Sequence, residues 1–108
     1  MSQRQPLPQR RSCETFKLRF GGQNAAYHVT LGYYDHGMTQ IGEIFIATHK
    51  AGSGAEALAR DCAILMSLAI QHGCAVETMA AALTREETGE PSTIAGAVVD
   101  VIARMPKA

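Results

Sequence analysis

The sequence predicts an α+β fold, a small antiparallel sheet of three or more strands followed by about three helices packed on one face. Two observations carry this. Up to residue 48, two segments alternate apolar and polar residues with the period of a strand and a third is a short apolar run, all separated by turn chemistry. Beyond residue 53, apolar residues recur at helical spacing instead.

The elements follow in order. Residues 1–12, MSQRQPLPQRRS, hold two prolines and three arginines and read as a basic extended arm. ETFKLRF then alternates, with Phe16, Leu18 and Phe20 on one face and Lys17 and Arg19 on the other. Gly21 to Asn24 is turn chemistry and predicts a hairpin. AYHVTLGYY alternates again, placing Tyr27, Val29, Leu31 and Tyr33 together and His28 on the opposite, exposed face. Asp35 to Gly37 marks the next turn. GEIFIAT is a third strand, and its Ile-Phe-Ile run predicts a central position covered on both faces.

A helix starts near Ser53, where Ser53 and Glu56 have the spacing of a capping box. Its stripe of Leu58, Cys62, Leu65 and Ala69 is widened by Ile64, Leu68 and Ile70, which predicts the buried helix, lying across the sheet. His72-Gly73 ends it. A short alanine-rich helix is expected from about 76 to 83, then the polar loop TREETGEPS. The last helix runs from about Thr93 to Met105, with Ser92 as N-cap and Ile94, Val98, Val101, Ile102 and Met105 on one face. Residues 13–106 form one domain.

Composition bounds the function classes. The chain has 108 residues, 46% hydrophobic and 19% charged, which fits one globular domain with its own core. The formal net charge is zero, which argues against a chain that is a nucleic-acid binder throughout. The charge is uneven: residues 1–20 carry five Lys/Arg against Glu14 alone, so the arm could meet phosphates or an acidic partner. Cys13, Cys62 and Cys74 show neither zinc spacing nor a disulfide framework. No apolar run approaches the roughly 20 residues of a membrane span, no signal peptide is visible, and the expected compartment is the cytoplasm.

The loop HKAGSGAE has features of an anion site. Lys50 supplies charge, Gly52 and Gly54 bare the backbone, and a helix starts there. Neither the P-loop nor the dinucleotide spacing is present, however. Glu43 interrupts an apolar strand and must face solvent or pair with a cation; a sheet arginine such as Arg19 is the expected partner. His49 closes that strand beside Lys50. The four histidines show no metal spacing, and no nucleophile, base and orienter can be assembled. The expected catalytic set is therefore empty. The contact residues proposed for a ligand or partner are Arg10, Arg11, Glu43, His49, Lys50, Gly52, Ser53 and Gly54.

Several segments together resemble a known family. They are Leu7-Pro8-Gln9-Arg10-Arg11, Tyr34-Asp35-His36-Gly37, Gly42-Glu43-Ile44-Phe45-Ile46, Lys50-Ala51-Gly52-Ser53 and Met66-Ser67-Leu68-Ala69-Ile70-Gln71-His72-Gly73. In this order they resemble the TSCPD domain, the C-terminal region of adenosylcobalamin-dependent (class II) ribonucleotide reductases. The likeness covers about residues 7–105. The literal Thr-Ser-Cys-Pro-Asp string is replaced by GEPSTIAGAVVD, and 108 residues do not hold the reductase's radical barrel.

The resemblance implies a stand-alone accessory or binding module tied to ribonucleotide reductase and deoxynucleotide supply. It associates adenosylcobalamin with the family and not with this chain alone, and makes a reductase or another protein the expected partner. Two alternatives stay open. One is an independent regulator binding nucleotide or nucleic acid. The other is a homo-oligomer that covers an open sheet face bearing Tyr27 and Tyr33 or Phe16 and Phe20.

Overall fold

The computed structural model describes residues 3–21, 24–48 and 54–105. Three strands, β1 (Cys13–Phe20), β2 (Ala25–Tyr33) and β3 (Ile41–Thr48), precede three helices, α1 (Gly54–Gln71), α2 (Val76–Ala82) and α3 (Ile94–Arg104). The sheet is antiparallel in the order β1-β2-β3, so the α+β expectation holds. β2 is the central strand. β3 lies at an edge, because the chain runs as a simple meander.

Both turns follow their chemistry. Gly21 has φ 94° and Asn24 φ 54°, and Asn24 N–H donates to Gly21 O at 2.9 Å. Positive φ suits glycine and asparagine, which is why this pair closes the first hairpin. In the second, the Asp35 carboxylate accepts from Thr39 N at 3.1 Å, Gln40 N at 2.9 Å and Thr39 Oγ1 at 2.5 Å. These donors, the Thr39 hydroxyl first, hold the Asp35 carboxyl below the usual carboxylate range.

The alternation sorts the sheet into two faces. Val29, Leu31, Tyr33, Ile44 and Ile46 are buried on the core face, with Phe16, Leu18, Phe20 and Tyr27 packed against them. The aromatic residues thus line the core and do not cover an open face. The other face carries Thr15, Lys17, Arg19, His28, Thr30, Phe45 and Ala47. Thr15 and Thr30 share a hydroxyl hydrogen bond of 3.0 Å there, His28 is half-buried, and Phe45 is 54% exposed. β3 is therefore covered on one face only along Phe45 and Ala47.

The buried helix is α3, not α1. Ile94, Val98, Val99 and Ile102 enter the core, and Ala95, Gly96 and Ala97 are buried with them. Its N-cap is Thr93, whose hydroxyl accepts from Gly96 N at 3.1 Å, in place of the expected Ser92. Small residues let α2 and the 83–93 loop approach closely from behind. Buried Asp100 fixes that loop: Arg85 donates two hydrogen bonds to it, at 2.9 and 2.6 Å, and further bonds to Ala80 O and Gly89 O. The Arg85 guanidinium holds the Asp100 carboxyl below its ordinary range.

α1 lies along the free edge of β3. Ala59, Ala63 and Met66 face the core, and the small size of the two alanines allows close contact with β3. Leu58 and Leu65, expected inside, are 64% and 66% exposed. The polar residues of α1 decide this placement. Ser67 Oγ accepts from Ile44 N at 2.8 Å and donates to Ile44 O at 3.0 Å. Gln71 Nε2 donates to Gly42 O at 2.9 Å. The helix thus supplies three of the hydrogen bonds that a fourth strand would otherwise make. It ends as expected, with Gly73 at φ 100° and Cys74 N–H donating to Ala69 O.

Two measurements test this framework. Ser67→Ala strips both partners from Ile44 and is expected to lower unfolding free energy by about 1–3 kcal/mol in urea titration. Arg85→Ala is expected to lower the urea midpoint at pH 7. Because the folded-state pKa of Asp100 is depressed, this stabilisation is present above the unfolded carboxylate value of about 4 and is lost as pH falls through the folded value. The gap between variant and wild type should therefore close in acid.

Candidate functional site

The arm is extended, and it is held against the domain. Gln5 N–H donates to Gln71 O at 2.8 Å, Arg4 Nε donates to Gln71 Oε1 at 2.5 Å, and Tyr34 OH donates to Gln5 O. Burial raises the pKa of the Tyr34 hydroxyl. Leu7 lies over Gly42, where an added Cβ would come within 2.7 Å of its Cδ2. Gly42 is also the residue at which the β2–β3 register shifts, so a bulge and a close crossing coincide at a glycine.

Glu43 is the centre of this junction. It is 8% exposed and pairs with Arg11, Arg11 Nε to Glu43 Oε2 at 2.7 Å. The expected partner Arg19 instead donates to Asn24 O at 3.2 Å. The reason is geometric. Glu43 sits opposite Gly32 on β2, and a Cβ on Gly32 would lie 2.2 Å from Glu43 Oε2. The missing side chain of Gly32 lets the carboxylate fold flat across the sheet toward Arg11. Arg11 also donates to Pro8 O at 2.6 Å, and Ser12 Oγ bonds His36 Nδ1 at 3.1 Å.

The structure thus brings together two of the residues singled out from sequence, Arg11 and Glu43, in an ion pair. Arg10 is exposed on the arm, and Gly54 is the exposed first residue of α1 with open space around it. His49, Lys50, Gly52 and Ser53 lie outside the described residues, and so does the Ser53 half of the expected capping box. Among the described residues no group of three His, Cys, Asp or Glu is placed to hold a metal ion, and no helix is long and apolar enough to cross a membrane.

The residues missed from sequence are apolar. A cavity of about 510 Å³ opens between the outer face of β3 and α1, with Phe45, Ala47, Ile64, Leu68, Arg4 and Arg60 among its lining. Ile64 is 49% and Leu68 38% exposed, and Leu65 and Leu58 continue the apolar surface around α1 at helical spacing. The signal was present as the over-wide stripe of α1, read as burial. A smaller cavity of about 310 Å³, between the β2–β3 turn and the α1–α2 junction, is lined by Tyr33, Tyr34, Gln40, Ile70, Cys74 and Met105. Tyr33 OH donates to Glu14 Oε1 at 2.6 Å, and burial followed by that bond raises its pKa. Among the described residues that line this cavity with Cys74, none is a histidine.

Fold and site together define a small α+β domain: a three-stranded sheet whose β3 edge is closed by one helix, strapped by its own N-terminal arm, and bearing an apolar groove. The family model of the TSCPD domain matches residues 2–105. The chain belongs to the TSCPD domain family. It is 34% identical over 84 residues to a vitamin B12-dependent ribonucleotide reductase of Bradyrhizobium diazoefficiens, and 38% identical over 82 residues to one of Agrobacterium fabrum. These stretches are 78% and 76% of this chain and 6% of each relative, so the chain corresponds to a small part of those proteins. No solved structure matches it.

The role of Gly32 can be checked directly. Gly32→Ala should displace the Glu43 carboxylate and release Arg11, and trypsin should then cut after Arg10 and Arg11 faster than in the wild type. Equal cleavage rates with intact circular dichroism would contradict the strap.

Proposed function

We propose that this chain is a non-catalytic accessory module that docks on a ribonucleotide reductase of the vitamin B12-dependent class and so serves deoxynucleotide supply. The observation that carries the reading is the exposed apolar surface of α1 and β3. Monomeric domains rarely leave Phe45, Leu58, Ile64, Leu65 and Leu68 in water together without a partner for them. The kinship supports the same reading, since each relative holds this domain as a small fraction of a reductase chain. Arg10 and the segment Lys50 to Gly54 are proposed as additional polar contacts, whose charge would set register more than affinity.

Adenosylcobalamin is assigned to the reductase. The larger cavity here, about 510 Å³, has the size of a pocket for a drug-sized ligand, and a corrin ring with its nucleotide tail is far larger.

The test is binding of the purified chain to the B12-dependent reductase of its own host, by isothermal titration. The Ile64→Glu, Leu68→Glu double variant should weaken binding by roughly a hundredfold if these residues are anchors, with unchanged circular dichroism. The alternative, an independent regulator that binds nucleotide or nucleic acid, predicts the opposite pattern. It requires no reductase binding, and binding of single-stranded DNA that falls steeply with salt.

A further inference from the structure

The two edges of the sheet are treated differently. On β3 the outward backbone groups of Ile44 and Gly42 are bonded by Ser67 and Gln71. On β1 the hydrogen-bonding parity is set by Ser12 O, which accepts from Tyr33 N at 3.0 Å. In an antiparallel pair the bonding direction alternates residue by residue. Glu14, Phe16, Leu18 and Phe20 therefore bond to β2, and Cys13, Thr15, Lys17 and Arg19 present N–H and C=O outward. Among the described residues no backbone group bonds to this outward row. β1 has eight residues, pairs with β2 in unbroken register, and contains no proline.

We propose that β1 is a docking edge for an extended segment of another protein, in which apolar residues alternate with acidic ones. The backbone supplies affinity by strand addition, and the two faces of β1 supply specificity. On the core face Phe16, Leu18 and Phe20 are only partly buried, so apolar side chains of an added strand would extend the core. On the outer face stand Lys17 and Arg19, both exposed and neither in an ion pair with a described carboxylate. Acidic residues opposite them complete cross-strand pairs.

Charge also decides against a second copy of β1. Antiparallel self-pairing must match residues on the same face. The two registers with the largest overlap place Lys17 directly opposite its copy or diagonal to it. Each gathers both copies of Lys17 and Arg19 on one face with no acidic residue there, and like charges at this spacing repel. The cations act as gatekeepers against self-association and as selectors for an acidic strand. This proposal uses β1 alone and is independent of the apolar docking surface on α1.

The test uses an octapeptide of alternating valine and glutamate, titrated into the full chain with backbone amide shifts as readout. Binding should shift the β1 amides of Thr15, Lys17 and Arg19. Lys17→Glu with Arg19→Glu should weaken it by roughly tenfold or more. Lys17→Pro removes one outward donor while leaving the β2 ladder intact, and should abolish it. The same peptide N-methylated at alternate amides tests the point without altering the protein and should not bind. Three results would overturn the proposal: equal binding of the methylated peptide, equal binding of a valine–lysine peptide, or a β1-mediated dimer in sedimentation. Displacement of the peptide by oligothymidylate, with base protons contacting Phe45, would also overturn it in favour of a nucleic-acid face.

Discussion

A strand at the edge of a sheet must satisfy the backbone groups that point away from its neighbour, and in this protein that requirement on β3 organises the rest. Ser67 and Gln71 answer it from α1. Their spacing of four places both on one helical face. Once they are committed to Ile44 and Gly42, the helix cannot roll to bury its leucines. Ala59, Ala63 and Met66 face inward because they adjoin that polar pair around the helix, and Leu58 and Leu65 are left in solvent.

The same contact propagates to the N-terminus. Gln71 uses its side-chain amide for Gly42, and its side-chain and backbone oxygens for Arg4 and Gln5. The arm is thereby laid across the end of the sheet, where Leu7 covers Gly42 and Arg11 meets Glu43. A nearly buried carboxylate with a cation at 2.7 Å is costly to break from one side only. Glu43 therefore works as a clasp that keeps the strap closed, and the two glycines beside it make the room.

Legibility differed by element. The alternation of β1 and β2 and both turns could be read directly, because a period of two and a positive φ depend only on neighbouring residues. The end of α1 at His72-Gly73 was legible for the same reason. The width of the apolar stripe on α1 was visible, yet its meaning was not. Periodicity says which residues share a face and not which face meets the sheet. Likewise Glu43 was recognisably anomalous, while its partner depended on Gly32 being opposite it, a fact of register.

The sequence by itself determined the order of strands and helices, the faces of each strand and the family likeness, since these rest on local chemistry and on the string of residues. Only the tertiary structure decided that α3 is the buried helix, that α1 closes an edge, that Arg11 holds Glu43, and that apolar residues of α1 and β3 face solvent. Those outcomes depend on which unsatisfied backbone groups and which missing side chains come to lie beside one another, and residues distant in the chain meet only when it is folded.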